Sequence, residues 1–201
     1  MQISALLVSG ILLTATPVSA ATILILGDSL SASYGMPEHQ GWVQLLRDKL
    51  PEHKIINASV SGETSAGALR RLPALLDSVA PELVLVELGA NDGLRGFSPA
   101  QLKKNLTKII TLIKSTGANV LLSDILMPPN YGKRYSQAFR RVYQEIQTEQ
   151  AITLMPFFMR EIAPNPDLMQ KDGLHPNQAA QEQISLWVKP WIVRVLPGVQ
   201  Q

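Results

Sequence analysis

Ile23-Leu24-Ile25-Leu26-Gly27-Asp28-Ser29-Leu30-Ser31 opens with four consecutive aliphatic residues and closes on small and polar ones. An apolar run of that length without alternation reads as a strand buried on both faces, the kind found in parallel sheets. Downstream, strand-length runs recur at Lys54 to Asn57, Leu83 to Leu88, Val120 to Ser123 and Ile152 to Leu154. Segments of helical period separate them: Trp42 to Leu50, Ala66 to Ala80 with Pro73 interrupting it, Ala100 to Ser115, and Ser136 to Glu149. A last helix is predicted from about Asn177 to Val195, broken near Pro190. In the Ala100 to Ser115 segment, Leu102, Leu106, Ile109, Ile110 and Ile113 share one face. Strict alternation of strand and helix predicts an α/β fold with a five-stranded parallel sheet covered on both faces.

The chain of 201 residues has no internal repeat or low-complexity tract, which predicts one domain over residues 21–201. Residues 1–20 stand apart. They carry no charged side chain, hold an apolar run from Ala5 to Leu13, and end in Pro17-Val18-Ser19-Ala20, as a cleavable signal peptide does. Export to the periplasm or medium, with cleavage after Ala20, is the expectation. Later apolar runs are broken by charge or proline, so no stable membrane insertion is expected after cleavage. There is no cysteine, which excludes a thiol nucleophile and leaves stability to the core. A net charge of +2 with 17% charged residues argues against a nucleic-acid partner. The basic pairs Arg70-Arg71, Lys133-Arg134 and Arg140-Arg141 read as solvated helix faces. A monomer is expected.

Open parallel sheets place ligands beyond the carboxyl ends of their strands. The segments there are Gly27-Asp28-Ser29-Leu30-Ser31, Ser59-Val60-Ser61-Gly62-Glu63-Thr64 and Gly89-Ala90-Asn91-Asp92-Gly93, with Asp172-Gly173-Leu174-His175-Pro176 further on. Ser29 is predicted at the start of a helix, where it is either a nucleophile or an ordinary capping serine. A serine hydroxyl needs a base to take its proton. Of the three histidines, His39 and His53 sit in polar surroundings and read as surface residues. His175 has Asp172 three residues before it, a spacing that lets the carboxylate reach the second ring nitrogen and fix the tautomer. Attack on a carbonyl also builds a negative oxygen. The backbone N–H groups of Ser29 and Gly62 and the side-chain amide of Asn91 are the candidate donors, although Gly62 also suits a plain turn and Asn91 an Asx turn.

These four segments, in this order, resemble the four blocks of the SGNH/GDSL hydrolases. Leu85 to Phe97, Pro129 to Tyr135 and Leu154 to Met159 narrow the resemblance to the acyl-CoA thioesterase, lysophospholipase and arylesterase branch. The resemblance implies a flavodoxin-like three-layer α/β/α fold, a Ser29-His175-Asp172 triad, and an oxyanion hole of Ser29, Gly62 and Asn91. It implies small acyl ester and thioester substrates with no metal or organic cofactor, and a mobile loop over Gly93 to Ser98. Ala90 stands where a second Gly is common in the family, and Glu63 where Asp is common. Ala90 is expected to stiffen the segment bearing Asn91.

Leu30, Gly93, Leu94, Phe97, Met127, Tyr131 and Leu174 are candidates to line an acyl groove; core packing is the alternative for each. Arg95 and Lys133 are placed to meet a phosphate head group. Two other functions compete. A carbohydrate O-acetyl esterase on the same triad calls for more rings to stack on sugars than 5% aromatic residues supply. A non-catalytic binding module on such a sheet would more naturally carry a Gly-x-Gly-x-x-Gly loop after the first strand, and none is present.

Overall fold

The computed structural model describes residues 20–196. The leader expected over residues 1–20 lies outside them except for Ala20. Five strands form one parallel sheet: β1 (Thr22–Gly27), β2 (Lys54–Asn57), β3 (Leu83–Glu87), β4 (Asn119–Ser123) and β5 (Thr153–Met155), in the order β2-β1-β3-β4-β5. From β2 the chain reverses direction across the sheet, which creates a switch point between β1 and β3. Ile23 pairs with Leu83 and Gly27 with Glu87, so the loops leaving these two strands start level with each other.

The uninterrupted apolar runs have the cause inferred for them. Ile23 to Leu26 and Leu83 to Val86 are wholly buried, covered on both sides by helices. Helices α1 (Trp42–Lys49) and α7 (Gln181–Val195) pack together; α2 (Ser65–Val79), α4 (Pro99–Ser115) and α5 (Lys133–Gln150) pack in a second row. Short helices α3 (Ala90–Leu94) and α6 (Met159–Ile162) follow β3 and β5. The predicted apolar face of α4, from Leu102 to Ile113, is buried. The fold is the three-layer α/β/α arrangement expected. Among the described residues no helix is long and apolar enough to cross a membrane.

Several local expectations are corrected. Neither Pro73 nor Pro190 breaks its helix; α2 and α7 run straight through them. Both prolines are exposed, so the carbonyl that each leaves without an N–H partner is on the side where water satisfies it. The last helix begins at Gln181, preceded by a 3₁₀ turn at Gln178–Ala180. Ser29 does not open a helix. The chain makes one tight turn, with Ala32 N–H donating to the Asp28 carbonyl at 2.9 Å, and then leaves helical geometry at Ser33, where φ is 59°. His53 is not a surface histidine. It is 8% exposed, and its Nδ1 accepts the Ala21 N–H at 3.2 Å. His39 is exposed, as read from its polar neighbours.

Candidate active site

The level start of the loops after β1 and β3 brings Ser29 and Asn91 to the switch point. The loop after β2 adds Gly62 from the other side. Residues 169–176 close over the same end, where Met169 bridges Pro176 and Gln170 N–H donates to the His175 carbonyl at 2.8 Å. The Gln170 side chain ties this loop to the first one, donating to the carbonyls of Tyr34 at 2.7 Å and Pro176 at 3.1 Å.

These ties place His175 Nε2 at 2.9 Å from Ser29 Oγ, across 146 positions of sequence. His175 Nδ1 lies 2.7 Å from Asp172 Oδ2, while Asp172 Oδ1 accepts the N–H groups of Leu174 at 2.9 Å and His175 at 3.0 Å. Desolvation works to raise the Asp172 carboxyl, but the His175 ring and these two N–H groups outweigh it and hold its pKa at about 2. An ionised carboxylate on Nδ1 fixes that proton in place and leaves the Nε2 lone pair facing the serine.

Ser29, Gly62 and Asn91, the three candidate donors, line the same cavity. The N–H groups of Ser29 and Gly62 donate to no acceptor among the described residues. Gly62 has φ of +77°, a left-handed conformation that any side chain would strain. Arg95 Nη2 donates to the Gly62 carbonyl at 3.0 Å and so fixes the plane of that loop. Arg95 therefore belongs to the loop's scaffold. Asn91 occupies the first turn of α3, not the Asx turn considered for it. The unusual conformation falls on Gly89, at φ of +120°, where a Cβ would collide with the Tyr143 hydroxyl. Ala90 lies within the helix and does not have to bend.

Sequence reasoning missed a buried acidic layer beneath these residues. Asp28 and Glu87 are both fully buried. Asp28 Oδ2 accepts Asn91 Nδ2 at 3.0 Å, and its Oδ1 accepts Leu30 N–H at 3.0 Å. Glu87 accepts the Ser31 hydroxyl at 2.8 Å. Burial raises the Asp28 pKa to about 6; burial and the Asp28 charge together push Glu87 well above the usual carboxylate range. Asp92, next to Asn91, reaches back to α2, accepting Ser65 N–H at 2.8 Å and Ser65 Oγ at 2.5 Å, and Asn105 Nδ2 donates to the same hydroxyl at 2.9 Å. Tyr34, also missed, lays its ring 4.2 Å from that of His175. The signals lay in Glu87 inside an aliphatic strand and in the acidic residues flanking Ser29 and Asn91.

A groove of about 590 Å³ runs from this point across the strand ends. Leu30, Leu94, Met127 and Leu174 line it. Gly93, Phe97 and Tyr131 lie off its wall. Gly93 packs against Met127 and Phe139, Tyr131 donates its hydroxyl to the Leu94 carbonyl at 3.0 Å, and Phe97 is 44% exposed. Gly93 and Tyr131 thus shape the groove by supporting residues that line it, Met127 and Leu94. Lys133 begins α5 and is not on the wall either.

A serine hydroxyl in contact with a carboxylate-held imidazole, at the switch point of a doubly covered parallel sheet, marks a hydrolase class in which four loops share one centre. Residues 25–183 match the GDSL-like Lipase/Acylhydrolase family, and the chain belongs to it. It is 48% identical over 188 residues to an arylesterase of Vibrio mimicus, an alignment covering 92% of this chain and 94% of that one. It is 48% identical over 179 residues to thioesterase 1/protease 1/lysophospholipase L1 of Escherichia coli K12, covering 89% and 86%. The psychrotrophic esterase EstA from Pseudoalteromonas sp., solved in a form inhibited by monoethylphosphonate, superposes with a TM-score of 0.85 at 49% identity, over 87% of this chain and 97% of that one.

Proposed function

We propose that this protein hydrolyses acyl esters and thioesters, including acyl-CoA-type thioesters, lysophospholipids and small aryl or alkyl esters, through an acyl-Ser29 intermediate. The observation that carries the reading is the unbroken path from Asp172 through His175 to Ser29, opening on free donors at the head of an apolar groove. His175 Nε2 takes the Ser29 proton as Oγ attacks the carbonyl carbon. The negative oxygen that forms is met by the N–H groups of Ser29 and Gly62 and by the Asn91 amide. His175 then returns the proton to the departing thiolate or alkoxide. Water, deprotonated by the same nitrogen, attacks the acyl-enzyme and releases the acid and Ser29. Asp172 stays ionised throughout and stabilises the imidazolium.

The groove favours acyl chains over sugars, since most of its wall is aliphatic side chains, methionines and prolines, with Tyr34 and Phe157 as its aromatic rings besides His175. The relatives named arylesterase, esterase and thioesterase support the same reading. We further propose that residues 1–20 export the chain and that residues 21–201 act as a monomer in the periplasm or medium.

The test joins labelling to turnover. A fluorophosphonate probe should label the wild-type protein and not Ser29→Ala, and Ser29→Ala should lose hydrolysis of a short p-nitrophenyl ester while keeping its circular dichroism spectrum. An unlabelled wild type, or an active Ser29→Ala, rejects the mechanism. A kcat/KM series over acyl-CoA thioesters, lysophospholipids and acetylated sugars then ranks the substrates.

A further inference from the structure

Among the described residues the groove wall carries no carboxylate. The guanidinium on it is that of Arg160, the second residue of α6. Arg160 is exposed and joins no ion pair among the described residues. The Asp124 carboxylate feels its charge, but the cation that approaches Asp124 is Arg140, at 3.8 Å. Arg160 and Ser29 both line the groove, and they reach it from different strands. β5, which leads into α6, is three strand positions from β1, which leads into Ser29. At the usual strand spacing the two strands are separated by about 14 Å. The lining also includes Leu126, Met127, Phe157 and Met159.

An uncharged chain end lying at Arg160 takes water from a guanidinium and gives it nothing in return. An oxyanion at the same place meets a planar fork of donors made for it. We propose that Arg160 is an anion-recognition site in the acyl groove, selecting substrates that carry a carboxylate or phosphate remote from the scissile carbonyl. The inference rests on the ester-hydrolase reading above and adds a substrate class to it.

The experiment compares matched pairs of p-nitrophenyl esters, alkanoate against hydrogen alkanedioate of equal length, over a range of lengths, in wild type, Arg160→Gln, Arg160→Glu and Arg160→Lys. Wild type should favour the alkanedioate once the chain spans the groove. That preference, read as the ratio of the two kcat/KM values within each variant, should fall by about 3- to 10-fold in Arg160→Gln, fall further in Arg160→Glu, and survive in part in Arg160→Lys. A second pair, acyl-CoA against the N-acetylcysteamine thioester of the same acyl group, shows whether the leaving group brings the anion instead. A drop in either ratio supports the site and names its source; ratios equal in wild type and Arg160→Gln overturn it. Calorimetric affinities of Ser29→Ala for methyl alkanoates and monomethyl alkanedioates read the same preference without turnover. Alkanoate hydrolysis with flat ratios sinks the Arg160 site alone, whereas absence of all hydrolysis sinks the enzymatic reading.

Discussion

The Asp28 carboxylate accepts the Asn91 side-chain amide at 3.0 Å, so the residue preceding the candidate nucleophile aims the candidate oxyanion donor. One amide hydrogen is spent on Asp28 and the other is left for substrate. Asn91→Ala should therefore lower kcat by about 10²- to 10³-fold. Asp28→Asn, which leaves one acceptor oxygen where Asn91 and Leu30 now use two, should lower it by about 10- to 100-fold. Steady-state kinetics on one ester check both, with KM little changed; a loss confined to KM contradicts the role given to Asn91.

Asp172→Asn should reduce kcat by about 10²- to 10⁴-fold, since the ring proton then loses the charge that holds it on Nδ1. Its effect on Tm should stay within about 2 °C, because the Asp172 side chain is 40% exposed and its contacts are screened. The folded-state pKa is depressed, so whatever stability this carboxylate gives is present above its ordinary value of 3.8 and is lost as pH falls through about 2. Activity lost on mild acidification is thus not lost through Asp172, which a kcat/KM profile over pH 4 to 8 beside a melting series will separate.

Glu87 has the opposite sign. Its folded-state pKa is raised well above 4.5, so its contribution to stability is full below 4.5 and disappears as pH rises through the folded value. Asp28 behaves likewise between 3.8 and about 6. Glu87→Gln keeps an acceptor for the Ser31 hydroxyl and removes the charge. In mildly alkaline buffer it should melt above wild type by roughly 2 to 4 °C, about 1 kcal/mol, and the gap should close toward pH 4.5. A pH-independent difference contradicts the assignment.

Ser65→Ala should be costly although it removes one oxygen. The hydroxyl stands between Asp92 and Asn105, and both are buried, so its loss strands two polar groups. A destabilisation of about 3 kcal/mol, or roughly 6 to 12 °C in Tm, is expected by differential scanning calorimetry.

The layered fold was legible because buried parallel strands have no polar side to interrupt them; Ile23 to Leu26 announces both its own conformation and its place in the middle of a sheet. The proximity of Ser29, His175 and Asp172 was legible from residue chemistry and from the rule that such sheets gather their loops at one end. Proline positions misled, because the cost of a missing N–H depends on whether the stranded carbonyl faces core or water. Sequence does not state this, and Pro73 and Pro190 turn out to face water. Glu87, Asp28 and the buried His53 stayed hidden for a related reason. A polar residue is buried when a partner waits for it, and the partners here are up to 63 residues away.

The far wall of the groove comes from the segments after β4 and β5, around Leu126 to Pro129 and Phe157 to Pro164, whereas every reacting atom comes from elsewhere in the chain. Diet and chemistry are thereby inherited separately. Evolution, or an engineer exchanging those two segments between relatives, can lengthen, shorten or recharge what the protein accepts without disturbing the machinery that cuts it.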